Sequence, residues 1–235
     1  MKDLSNYNII VIGDSICRGF FYQNQEIKKI EHSAIDLIEN SYNCKIHNLS
    51  VFGQTLKRAY EKKFHERAVS LFEKEKQNVV VIALGGNDAD YDWLKVEQEP
   101  NAKHFPKTEI KEFEKILSEM IDYFRPYNAK VIVNSIFPID SKRFFDNIIC
   151  KKYDKEKILE FLKNDVSNLS RHQESFNNTL VKVVSKTKCQ FLDYRSPILL
   201  QNDFLSYICE DGIHPNDKGH AFIAKIIAKY IEKQD

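Results

Sequence analysis

Five short apolar runs punctuate the chain, each ended by a turn signal and each separated from the next by a longer stretch of mixed polarity. Residues 8–12 (NIIVI) form a β-branched run stopped by Gly13, and residues 45–49 form a weaker one stopped at Ser50 to Gly53. Residues 78–84 (NVVVIAL) end at Gly85-Gly86, residues 130–135 close at Phe137-Pro138, and residues 190–193 make the shortest run. Continuous apolar runs of this length are the pattern of strands covered on both faces. The stretches between them carry helical periodicity. In 108–124, Ile110, Phe113, Ile116, Leu117, Met120 and Ile121 share one face, and in 216–233 the same holds for Phe222, Ile223, Ile226, Ile227 and Tyr230. Helices are also expected over 16–40, with a break near 23–26, and over 56–76 and 169–186.

Strands alternating with helices predict an α/β fold with a central parallel sheet of about five strands and helices on both faces. Right-handed crossovers then bring the C-terminal ends of all five strands to one edge, where open α/β sheets bind ligands. Two connections are longer than ordinary loops, residues 91–107 and 139–168; the second contains a helix-like stretch at 155–163. Long connections in a compact domain are usually functional or disordered, so both are candidate substrate walls or lids. The chain is expected to form a single domain over 1–235, with 139–168 as an insertion or lid within it.

Composition narrows the class of partner. With 35 basic and 34 acidic residues the net charge is +1, which gives no electrostatic reason to expect nucleic acid or an anionic membrane. No apolar run approaches the roughly 20 residues of a membrane-spanning helix, and no secretory leader is visible, so a cytoplasmic protein is expected. The five cysteines are scattered with no CxxC, which favours buried thiols over a metal or redox motif.

Chemistry-bearing residues gather where the expected strands end. Gly13-Asp14-Ser15 follows the first, and the amides of a following helix would favour negative charge beside the Ser15 hydroxyl. Asn48 to Gly53 follows the second, where Gly53 can offer its N–H because it lacks a side chain. Gly85-Gly86-Asn87-Asp88 follows the third, with the Asn87 amide as a neutral donor. Asp211-Gly212-Ile213-His214-Pro215 precedes the last helix, and its spacing lets one loop carry a histidine and the acid that orients it. Each motif alone is equally readable as a cap or a turn. Together they supply a nucleophile, a base, an orienting acid and donors for an oxyanion, which is the inventory of acyl transfer.

In these four blocks, GDSICRG (13–19), NLSVFG (48–53), GGND (85–88) and DGIHP (211–215), the chain resembles the SGNH hydrolases of the GDSL esterase/lipase superfamily. The resemblance implies a flavodoxin-like three-layer α/β/α sandwich and catalysis without metal or cofactor. It implies Ser15 as nucleophile, His214 as base and Asp211 as its orienter. The Ser15 N–H, the Gly53 N–H and the Asn87 side chain would form the oxyanion hole. Ile16 stands where the family name has leucine.

The expected substrate is a small-molecule or carbohydrate ester, a short acyl or O-acetyl group first, with a lipid ester or thioester as alternative. An acyltransferase would use the same residues, and an inactive binding module would keep only the fold. Asp88, Asp90 and Asp92 alternate and Glu99 follows in calcium-loop register, but Trp93 stands where such a loop needs glycine, so a solvated acidic loop is expected. His220, within the last helix, reads as structural.

Overall fold

The computed structural model describes residues 2–233. Among the described residues there are seven strands: β1 (Tyr7–Gly13), β2 (Phe20–Gln23), β3 (Glu26–Lys29), β4 (Ile46–Asn48), β5 (Gln77–Ala83), β6 (Lys130–Asn134) and β7 (Gln190–Leu192). Five of them make one sheet in the order β4-β1-β5-β6-β7, every pair parallel. Counted within the sheet this is 2-1-3-4-5, the flavodoxin-like order, with its topological switch between β1 and β5. The helices are α1 (Ala34–Tyr42), α2 (Leu56–Glu61), α3 (Phe64–Val69), α4 (Trp93–Gln98), α5 (Ile110–Tyr123), α6 (Ser141–Phe144), α7 (Lys155–Phe161), α8 (Asn168–Thr187), α9 (Arg195–Leu199) and α10 (Asp217–Glu232).

The layers follow from strand alternation. Ile10, Ile12, Val80, Ile82, Val131 and Val133 face one way, into a core closed by Phe113, Leu117 and Met120 of α5 and by Phe176, Leu180 and Val183 of α8. Their neighbours Ile9, Val79, Val81 and Ile132 face the other way, onto Ile226, Ile227 and Tyr230 of α10. Runs that are apolar at every position therefore fit a sheet covered on both sides.

Two expected helices differ. The stretch 16–40 is helical only over α1; before it, β2 and β3 form an antiparallel hairpin with Phe20 opposite Lys29 and Tyr22 opposite Ile27. The aromatic run Phe20-Phe21-Tyr22 prefers a pleated surface, and Asn24 and Gln25 take left-handed φ values of 53° and 63°, the backbone of a two-residue hairpin turn. Ser33 then starts α1 by a capping box with Asp36. The stretch 56–76 is divided into α2 and α3 at Lys63, whose φ of 57° is left-handed and cannot continue a helix.

The two long connections fold against each other. Trp93 and Val96 of α4 share a small core with Phe145, Ile149, Ile158 and Leu162 of the 139–168 segment and with Leu169 of α8. Asn101 Nδ2 donates to Glu160 Oε1 at 2.6 Å and the Asp154 N–H to Glu97 Oε1 at 2.5 Å. These contacts raise a wall over the C-terminal edge of the sheet.

Candidate active site

All four sequence blocks reach the same edge, around a cleft of about 860 Å³ lined in part by Ser15, Gly53, Asn87, Asp211 and His214. Beyond β1 the chain makes a single turn: Arg18 N–H donates to Asp14 O at 3.1 Å and Phe20 N–H to Ser15 O at 2.9 Å, after which β2 begins. No helix follows Ser15, so the helix N-terminus expected beside the hydroxyl is replaced by this one turn. The Asp14 carboxylate shapes it by accepting the Ile16 N–H at 2.9 Å.

Ser15 Oγ lies 2.9 Å from His214 Nε2, and His214 Nδ1 lies 2.5 Å from Asp211 Oδ2. All three residues are buried. A carboxylate only accepts, so Asp211 holds the imidazole proton on Nδ1 and leaves the Nε2 lone pair facing the hydroxyl. Asp211 is fixed in turn, because its other oxygen accepts the Ile213 and His214 N–H groups at 3.0 and 3.1 Å. One short loop thus supplies the imidazole, its carboxylate partner and the bonds that hold the carboxylate.

The loop is clamped from the 139–168 segment. Arg143 Nη1 donates to the Leu205 and Ile208 carbonyls at 2.9 Å each, Asn147 Nδ2 donates to Glu210 O at 2.6 Å, and the Asp140 N–H donates to Gly212 O at 2.8 Å. Phe52 closes the opposite side, its ring 6.3 Å from that of His214 and edge-on to Phe20 of β2.

Among the described residues neither the Ser15 nor the Gly53 N–H has a protein acceptor, and both residues line the cleft. Gly53 sits at φ 65°, a left-handed backbone that glycine adopts without strain. Asn87 is partly engaged: Nδ2 donates to Gln54 O at 3.1 Å, and its second proton has only Asp14 Oδ2, at 3.4 Å. Burial pushes the Asp14 carboxyl up to about 6, opposed by the Ile16 N–H and by His214.

Asp88, next in the block, is not solvated. It is fully buried and accepts the Leu56 N–H at 2.8 Å and the Thr108 hydroxyl at 2.6 Å, so it joins the start of α2 to the approach to α5. Asp90 binds Lys107 Nζ at 2.7 Å and Trp93 Nε1 at 2.9 Å, while Asp92 caps α4. The alternating aspartates therefore point to three separate sets of protein partners. His220 accepts the Ala34 N–H at 3.2 Å through Nδ1, tying α10 to α1, and burial lowers it to about 4. None of the five cysteines is in a disulfide.

Sequence reasoning missed Asp88 as a strut, and also Gln54, Phe52, Arg143, Gln173 and Arg195 around the cleft. Arg195 and Gln173 carried no local signal, because the bond that joins them spans 22 positions.

Residues 9–227 match the family described as GDSL-like Lipase/Acylhydrolase. The chain belongs to that family. As a GDSL-like lipase/acylhydrolase it is a carboxylic ester hydrolase. Its sheet and helices superpose on several solved structures of low sequence identity. A GDSL-like lipase from Bacteroides thetaiotaomicron is 17% identical with a TM-score of 0.63, the match covering 97% of this chain and 88% of that one. An alpha/beta hydrolase from the metagenome of Lake Arreo, Spain, is 16% identical with a TM-score of 0.65, covering 97% and 95%. The psychrotrophic esterase EstA from Pseudoalteromonas sp., in a form inhibited by monoethylphosphonate, is 17% identical with a TM-score of 0.57, covering 97% and 98%. At these identities the likeness is one of fold. No curated protein sequence matches the chain. Among the described residues no helix of this family member is long and apolar enough to cross a membrane.

Proposed function

We propose that this hydrolase cleaves its ester by double displacement through an acyl-enzyme on Ser15. The observation that carries the reading is the unbroken relay from Ser15 Oγ through His214 Nε2 and Nδ1 to Asp211, with links of 2.9 and 2.5 Å. His214 takes the hydroxyl proton as Ser15 attacks the ester carbonyl, and Asp211 stabilises the imidazolium that forms. The Ser15 and Gly53 N–H groups and the Asn87 amide receive the negative charge that develops on the carbonyl oxygen. His214 then protonates the departing alkoxide. In the second half it removes a proton from water, which attacks the acyl-enzyme and frees the acid and Ser15. Every proton moves through one imidazole, and the reaction requires no metal or organic cofactor.

The substrate is a small-molecule ester, and a short acyl or O-acetyl group on a carbohydrate is the first reading. The apolar lining from Tyr91, Trp93, Ile136, Phe144, Ile148 and Leu169 favours a second reading, a longer acyl chain lying along the wall. In both, the 139–168 segment serves as a substrate wall.

Active-site labelling tests the core of the proposal. A fluorophosphonate probe is expected to label the parent protein stoichiometrically and to leave Ser15→Ala unlabelled and inactive toward p-nitrophenyl esters. Normal ester turnover by folded Ser15→Ala would sink it. Adding sugar or alcohol acceptors to the same assay separates hydrolysis from acyl transfer.

A further inference from the structure

The cleft wall formed by α8 is not wholly apolar. Leu169, His172 and Gln173 all line it, at the i, i+3 and i+4 spacing that sets side chains on one helix face. Gln173 is 95% removed from solvent, at 5% relative exposure, yet its amide is only half satisfied. Its Oε1 accepts Arg195 Nη1 at 3.0 Å. Arginine has only donors, so the amide cannot flip, and Nε2 must point away from the guanidinium.

Arg195 is itself locked. It is buried, donates from Nη1 to Ile136 O at 3.1 Å, and pairs through Nη2 with Glu174 Oε2 at 2.5 Å. Its own N–H donates to Ser135 Oγ at 2.9 Å. Its Nε is buried without a partner, and Gln173 Nε2 likewise has no acceptor among the described residues. Beside it, the buried Nε2 of His172 is also without a partner, under the Tyr91 ring at 5.0 Å. The Gln173 residue is buried but its Nε2 is open to the cleft, and a donor held there in a fixed direction is available to a ligand.

We infer that Gln173 is a specificity-determining residue that donates a hydrogen bond to an oxygen on the part of the substrate lying along α8, several bonds from the scissile carbonyl. The inference rests on the ester-hydrolase reading above. It assigns the substrate as an ester bearing an oxygen substituent, either on the acyl chain or on the alcohol, in place of a plain hydrocarbon. Arg195 acts only as the positioning residue that fixes the donor's direction.

Ether oxygens supply a clean probe, because they accept without donating and replace a methylene almost isosterically. The acyl arm compares ethyl hexanoate with its analogues carrying one ether oxygen at successive chain positions. The alcohol arm compares butyl acetate with 2-methoxyethyl acetate. Acid release is followed for the parent protein, Gln173→Met and Gln173→Glu. The parent is expected to prefer the ether analogue, in one arm and at one position, by about 3–10-fold in kcat/KM, the worth of one net hydrogen bond. Both variants are expected to abolish that ratio.

Gln173→Glu keeps an acceptor for Arg195 and turns an acceptor oxygen toward the cleft, so it tests the donor even if Gln173→Met fails to fold. The arm that responds identifies which half of the ester lies on α8. A parent with no ether preference in either arm, or a folded variant that keeps it, overturns the inference. If the parent turns over none of these esters, or does so without Ser15, the underlying ester-hydrolase reading fails instead.

Discussion

Replacing Asp211 by asparagine is a nearly isosteric change that should disable the site without unfolding it. Asp211 makes three bonds: one oxygen accepts two backbone N–H groups at 3.0 and 3.1 Å, and the other meets His214 Nδ1 at 2.5 Å. Asparagine has one acceptor and one donor end. If its oxygen stays on the two N–H groups, its NH2 faces Nδ1, and the imidazole proton must move to Nε2. That nitrogen then presents N–H, not a lone pair, to Ser15 Oγ 2.9 Å away and cannot accept the hydroxyl proton. The opposite flip keeps the tautomer but strands the buried His214 N–H, at about 1–3 kcal/mol, and the part-buried Ile213 N–H as well. The wrong tautomer is thus the lower state. A trapped tautomer of this kind costs about 10⁴ in kcat, or about 5.5 kcal/mol of transition-state stabilisation. The assay is kcat on a p-nitrophenyl ester beside a thermal melt of the same preparation. Asp211→Asn protein with an unchanged melt and activity within tenfold of the parent would refute the role assigned to the relay.

Asn87→Ala removes one of the donors proposed for the oxyanion and should lower kcat about 100–1,000-fold with KM little changed, read from steady-state kinetics. Asp88→Ala strands the Leu56 N–H and the Thr108 hydroxyl and should cost about 3–5 kcal/mol of stability, read from urea unfolding; a loss under 1 kcal/mol would contradict the strut assigned to it. The Asp14 carboxyl has an ordinary pKa of 3.8 and is raised by burial to about 6 in the folded protein. Between about pH 4 and 6 the folded state then binds more protons than the unfolded one, so this group makes stability fall as pH rises through that window and level off above it. Urea midpoints across pH 4–7 should therefore decline less steeply in Asp14→Asn than in the parent, and an identical slope would count against the raised pKa.

The parts of the fold set by local pattern were readable along the chain. The five sheet strands fall where β-branched runs meet turn residues, because a strand covered on both faces needs apolar side chains at every position. The first three blocks were readable for a related reason: chain order and crossover handedness bring strand ends to one edge whatever the loops do, while the fourth was marked by its Asp–His spacing ahead of the last helix. The hairpin at 20–29 was obscured because Ile16, Phe20, Ile27 and Ile30 also suit a helical stripe, and the deciding event, two left-handed residues at Asn24 and Gln25, depends on backbone that neither glycine nor proline announces. The break at Lys63 was hidden likewise. The contacts that hold the site loop, from Arg143 and Asn147, join residues more than 60 positions apart, and no local pattern encodes such pairings. Gln173 was hidden by the same logic, since its meaning comes from Arg195 across 22 positions.

The separation of Ser15 from His214, 199 positions along the chain, has a consequence for how the enzyme comes into being. During synthesis the serine emerges 199 residues before the histidine. The loop bearing Asp211 and His214 leads directly into α10, and α10 packs on α1, so elements far apart along the chain must meet before the relay exists. A nascent chain is then catalytically silent until the residues around His214 have been made, however well its earlier strands have paired. Reactivity toward an organophosphorus probe would thus report the final long-range closure of the molecule, the slow kind of contact in folding.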